Sequence, residues 1–83
     1  MNIFVAKLNP LTTARDLQRL FAHYGFVNTV KVIKDPYTGK SKKYGFIEMP
    51  NPSEANEALK ELHSTVFQDS VIIVKDSQTS VQV

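Results

Sequence analysis

"KKYGFIEM", residues 42–49, places Tyr44 and Phe46 two positions apart in a run with β-strand character. Successive side chains of a strand point to opposite faces, so the two rings share one face while Gly45, Ile47 and Met49 share the other. If Ile47 and Met49 turn inward, two aromatic rings are left at the surface, flanked by Lys42 and Glu48. A fold that holds this segment needs a sheet with one covered face and one open face.

The neighbouring segments supply such a sheet. Upstream, "FVNTVKVIK" (26–34) is rich in β-branched residues and runs into "DPYTGKSK" (35–42), a turn built on proline and glycine, so two strands form a hairpin. Downstream, "PNPSE" (50–54) offers Asn51 as N-cap, Pro52 at the first helical position and Glu54 at the third. Ala55, Ala58, Leu59 and Leu62 then mark the buried stripe of a helix. "SVIIVK" (70–75) reads as a fourth strand.

At the other end, "NIFVAKL" (2–8) is a strand that stops at the turn signal Asn9-Pro10. Thr13 starts a helix with Asp16 three residues on, a capping box with the shorter acid. Leu17, Leu20, Phe21 and Tyr24 follow at helical spacing as core residues, and Gly25 is a left-handed stop. The order is β-α-β-β-α-β over residues 1–76, with a polar tail at 77–83. This predicts an α+β, ferredoxin-like domain: a four-stranded antiparallel sheet with two helices on one face. The other face is open, and the surplus rings belong there.

Composition is consistent with that size of fold. A chain of 83 residues is one domain that buries roughly 60% of its unfolded surface. With 42% hydrophobic and 22% charged residues it is too apolar for disorder. The absence of cysteine excludes disulfides and thiolate chemistry and leaves His23 and His63 without a thiolate co-ligand, so no cofactor or metal is expected. No run approaches the ~20 apolar residues of a membrane span, and the N-terminus lacks a leader pattern. A soluble, cytoplasmic protein is the expectation.

The net charge is only +2, but it is unevenly spread. Lys31, Lys34, Lys40, Lys42 and Lys43 face one acid, Asp35, whereas Glu54, Glu57, Glu61 and Asp69 face only Lys60. The chain has a basic side and an acidic side, readable either as solvated surface or as a polyanion-facing edge.

Over residues 2 to about 76 the sequence resembles the RNA recognition motif family. "KKYGFIEM" is similar to its eight-residue signature of Lys or Arg, Gly, aromatic, Gly or Ala, aromatic, aliphatic, any, aromatic. "IFVAKL" (3–8) is similar to the companion motif on the first strand, with Phe4 at its aromatic position. Thr38-Gly39 in the hairpin turn and "FAHYGFV" (21–27) after the first helix also match. Five positions depart: Lys43 replaces glycine, Met49 an aromatic, Lys7 an asparagine, and His63-Ser64 an Asn-Gly pair.

The resemblance implies that the first and third strands are central neighbours, so that Phe4 and Phe46 stack successive unpaired bases. It places Tyr44 against sugars and Lys42 on a phosphate, with Lys43 adding charge at the rim. Strand parity adds Lys31, Ile33, Glu48, Asn2 and Lys75 to the open face as candidates for base selection, beside Lys7. Tyr37, at the hairpin tip, is either a flanking stacker or a turn residue.

The function expected is binding of single-stranded RNA, as a post-transcriptional regulator or RNA chaperone-like factor. The alternative is a protein-interaction module on the same face or on the acidic second helix. An acylphosphatase-like enzyme on this topology would need a glycine-rich anion loop and an arginine near the first strand. "KLNPLTT" (7–13) has no glycine and the only arginines, Arg15 and Arg19, lie on the first helix, so no enzymatic activity is expected. With Ile72 and Val74 turned inward, Val71 and Ile73 would form an apolar strip beside the rings. The tail, through Thr79, Val81 and Val83, would cover that strip, pair weakly with a second molecule of an otherwise monomeric protein, or fray.

Overall fold

A computed structural model describes residues 1–77. Its elements are β1 (Asn2–Ala6), α1 (Ala14–Ala22), β2 (Thr29–Lys34), β3 (Ser41–Glu48), α2 (Pro52–Leu62), β4 (Val66–Phe67), β5 (Ser70–Val71) and β6 (Ile73–Asp76). Four strands form an antiparallel sheet in the order β2-β3-β1-β6. The core is the layer between sheet and helices. Ile3, Val5, Ile47 and Val74 from the strands, with Met49 just after β3 and Ile72 just before β6, meet Leu17 and Phe21 of α1 and Ala55, Ala58 and Leu62 of α2. Burial alternates with the strand period along β1 and along β3 from Tyr44 on, so the other side chains there lie on the far face.

Both helix starts are made by local side chains. The Asp16 N–H donates to the Thr13 hydroxyl (3.2 Å) and the Thr13 N–H donates to the Asp16 carboxylate (3.0 Å). That backbone bond is the main cause holding the Asp16 carboxyl below its usual range. Asn51 accepts from the N–H groups of Ser53 (2.9 Å) and Glu54 (3.3 Å). Glu54 does not close a capping box; its carboxylate accepts the Phe26 N–H (3.2 Å), tying α2 to the loop before β2. The first helix ends at Ala22 with His23 as C-cap, before Gly25, so the glycine is not its left-handed stop; Gly25 (φ 156°) is instead a position where a Cβ would collide with the Glu54 side chain.

Three strand boundaries differ from the sequence reading. The first strand ends at Ala6, because Lys7 is left-handed (φ 60°). The second begins at Thr29, three residues later than the run of β-formers suggests. The segment read as one strand over 70–75 is two. Ser70–Val71 pairs with Val66–Phe67 in a small hairpin, and only Ile73–Asp76 joins the main sheet, against β1.

The hairpin turns on Gln68 (φ 50°) and Asp69 (φ 66°), both left-handed. Val71 is therefore paired with Val66 and does not line the sheet face, whereas Ile73 stands opposite Ala6. Ser77 extends the ladder by one residue, its N–H donating to the Asn2 carbonyl (2.8 Å). The expectation that Thr79, Val81 and Val83 cover an apolar strip lies outside the described residues.

The outer side of the last strand is bordered by residues 63–65. The Val74 N–H donates to Nδ1 of His63 (3.1 Å), the Ile72 N–H to the Thr65 carbonyl (2.9 Å), and the Ser64 N–H to the Ile72 carbonyl (2.8 Å).

Two of the departures from the family signature share a backbone cause. Lys43 (φ 67°) and Ser64 (φ 63°) are left-handed at positions where the resembled family carries glycine. Lys43 lies where the β2–β3 register shifts between Val32 and Lys34, a bulge that such a conformation makes. A side chain there costs about 1 to 2 kcal/mol, partly offset by the lower entropy of the unfolded chain relative to glycine. Lys43→Gly should therefore raise the unfolding free energy by about 0.5 to 1 kcal/mol. A urea titration would show it as a higher midpoint at unchanged slope, and a lower midpoint would contradict the strain.

Candidate nucleic-acid interface

Strand register arranges the open face in rows. Lys31 of β2 is opposite Phe46 of β3, Phe46 is opposite Phe4 of β1, and Phe4 is opposite Lys75 of β6. The central row thus reads lysine, phenyl, phenyl, lysine across four strands. One neighbouring row contains Tyr44, Ala6 and Ile73; the other contains Thr29, Glu48 and Asn2. The adjacent core residues Val5 and Ile47 fix the strand faces from beneath.

The three rings touch one another. Phe4 lies 5.7 Å from Tyr44 and 5.5 Å from Phe46, both tilted, and Tyr44 meets Phe46 edge-on at 6.2 Å. All three are half-buried, so mutual contact limits their rotamers while leaving part of each ring in solvent. With nothing of α1 or α2 on this side, the cluster is a preformed apolar platform inside a polar rim.

One polar group of the rim is fixed. Asn28 donates from Nδ2 to Oε1 of Glu48 (2.9 Å), and its backbone N–H donates to the Glu48 carbonyl (2.8 Å). Beside it, Asn2, Thr29, Lys31, Phe46 and Glu48 line a cavity of about 250 Å³. Asn28 was not among the residues suggested by sequence parity, because it precedes β2 and its partner is twenty residues away.

The remaining candidates sit around this core of the site. Lys42 and Lys43 are exposed at the bulge, and the Leu8 N–H donating to the Lys43 carbonyl (2.9 Å) brings the exposed Lys7 to the same end of the sheet. Ile33 is half-buried at the register shift and has no partner in the β2–β3 ladder. In the hairpin loop, the Asp35 carboxylate accepts the N–H groups of Tyr37 (2.8 Å) and Thr38 (3.3 Å). Those two bonds, with a smaller contribution from the Lys42 charge, hold the Asp35 carboxyl below its usual range. Tyr37 projects from the ordered turn, 95% exposed.

A larger cavity, about 830 Å³, lies elsewhere, between residues 10–14 and the hairpin, and none of the three rings lines it. Among the described residues no group of His, Asp or Glu could hold a metal ion, and no helix is long and apolar enough to cross a membrane.

Comparison with known proteins is consistent with this geometry. A family model described as RNA recognition motif matches residues 3–73. The crystal structure of RNA Binding Protein PG1 superposes with a TM-score of 0.91 at 40% identity, covering 93% of each chain. The Sex-lethal RNA recognition domains 1 and 2 from Drosophila melanogaster superpose with a TM-score of 0.86 at 28% identity, over 92% of this chain and 48% of that one. A curated relative, peptidyl-prolyl cis-trans isomerase-like 4 of Neurospora crassa, is 39% identical over 77 residues, 93% of this chain. The chain spans only 16% of that relative's length.

Proposed function

The chain belongs to the RNA recognition motif family, and from that premise we propose that it binds single-stranded RNA by stacking unpaired bases on Phe4 and Phe46. The observation that carries the reading is the central row, in which two touching phenyl rings are flanked by Lys31 and Lys75 on one open sheet face. Bases present flat π-faces that duplexes hide and single strands expose, and each base stacked on a ring contributes about 1 to 3 kcal/mol. Tyr44 packs against sugars, Lys42 pairs with a phosphate, and a few of Lys43 and Lys7 at the same end and Lys31 and Lys75 at the sides add further phosphate contacts. Asn2, Ile33 and Glu48 frame the bases, and Tyr37 reaches a nucleotide beyond the sheet.

The role that follows is regulation of RNA after transcription, or remodelling of RNA in the manner of a chaperone. The relative's name as an isomerase does not carry over: the shared segment is a small fraction of that protein and coincides with the RNA recognition motif.

Stacking makes two results expected. A fluorescence-anisotropy titration should give much weaker binding to duplex RNA than to the same sequence single-stranded, since duplex bases are already stacked. With about two to four phosphate contacts, log K should fall with log salt at a slope of about −1.5 to −3 on a single strand. Equal affinity for duplex and single strand would remove the stacking platform as the mode of binding.

A further inference from the structure

The cavity of about 250 Å³ next to Phe46 is smaller than an ordinary ligand pocket and suits one planar heterocycle. It is lined by one aromatic residue, Phe46, one anion, Glu48, one cation, Lys31, the polar Asn2 and Thr29, and the aliphatic Val30 and Ile47. The anion is held in place by Asn28, which bonds both its carboxylate and its main chain. A carboxylate has about four acceptor sites on its two oxygens. The single bond from Asn28 leaves both oxygens able to accept.

We propose that this cavity is a guanine-selecting subsite, with Glu48 as its specificity-determining residue and Asn28 as the residue that positions it. The proposal rests on the platform reading of the same face. Guanine carries two adjacent donors on its Watson–Crick edge, N1–H and the N2 amine, followed by the acceptor O6. A carboxylate accepts both donors side by side, and the Lys31 ammonium supplies a donor for O6 while the ring stacks on Phe46.

The other bases match less well. Adenine and cytosine each offer one amine next to a ring nitrogen whose lone pair faces the carboxylate. Uracil offers one N–H between two carbonyls, which a carboxylate repels. Glu48 also repels phosphates, so its presence on an RNA-facing sheet is a disadvantage unless it reads a base.

The test uses the full chain and fluorescently labelled hexauridylate in which one central position is uridine, guanosine, inosine, adenosine or cytidine. The guanosine oligonucleotide should bind about tenfold more tightly than the others, the scale of discrimination of a good bidentate contact. Inosine, which lacks only the N2 amine, should lose most of that gain. Glu48→Gln puts an amine where guanine needs an acceptor and should reduce the guanosine preference over uridine to within about threefold. Asn28→Ala, which keeps the carboxylate but frees it, should fall between. If the parent binds all oligonucleotides alike, or Glu48→Gln keeps the preference, the subsite is overturned while the platform stands. If the parent binds none of them, the platform itself is overturned.

Discussion

Phe4→Ala and Phe46→Ala should each weaken binding of single-stranded RNA by about 1 to 3 kcal/mol while the protein stays folded. The rings are half-exposed on the face opposite the helices, so truncation removes a stacking partner without opening the core. Tyr44→Ala should act in the same direction. Because Phe4 and Phe46 are 5.5 Å apart, the double variant should lose less than the sum of the single losses, each ring having helped to hold the other. RNA titrations combined with circular dichroism separate the outcomes. Unfolded variants would make the rings core residues, and parental affinity would deny them a role in binding.

The residue next along the chain should behave in the opposite way. Ile47 is 1% exposed and faces the helices, so Ile47→Ala should cost about 2 to 5 kcal/mol of stability through the lost methyl groups and the cavity left behind. For a domain of this size that is a large part of the total. RNA affinity measured on the folded fraction should change far less than in Phe46→Ala. Thermal unfolding and binding measured on both variants therefore test the two faces of one strand against each other. A small loss of stability in Ile47→Ala, alongside unfolding of Phe46→Ala, would reverse the assignment of faces.

That contrast is legible in "KKYGFIEM" because the strand period is two and only one face of this sheet is buried. The helix starts are legible for a similar reason: Thr13 with Asp16, and Asn51 with Ser53 and Glu54, act within three residues of one another. The β4–β5 hairpin was hidden because Gln68-Asp69 lacks the glycine or Asn-Gly that ordinarily announces a two-residue turn. What accompanies its left-handed backbone is distant: Asn9 donates to the Gln68 carbonyl (2.9 Å), and the buried Thr12 hydroxyl donates to the Gln68 side chain (2.6 Å). No local window contains those partners.

The Asn28 contact to Glu48 was hidden in the same way, since it exists only once β2 and β3 have paired. Parity placed Lys31, Glu48, Asn2 and Lys75 in their rows. It did so less well for Ile33 because the bulge at Lys43 interrupts the period on which parity depends.

The border that residues 63–65 lay along Ile72 and Val74 bears on how the protein behaves when crowded. A sheet edge with unpaired N–H and carbonyl groups is a template on which strands of other molecules can grow, the first step toward insoluble fibrils. Here the donors of Ile72 and Val74 and the acceptor of Ile72 are already engaged by the protein's own chain. An incoming strand would have to displace His63 and Thr65 before it gained a bond. Among the described residues no such border lines the opposite margin, β2, but that strand carries Lys31 and Lys34, whose charges repel a second copy aligned on the same margin. The domain thus guards one flank by hydrogen-bond occupancy at Ile72 and Val74 and the other by charge, beside an aromatic surface that stays partly exposed.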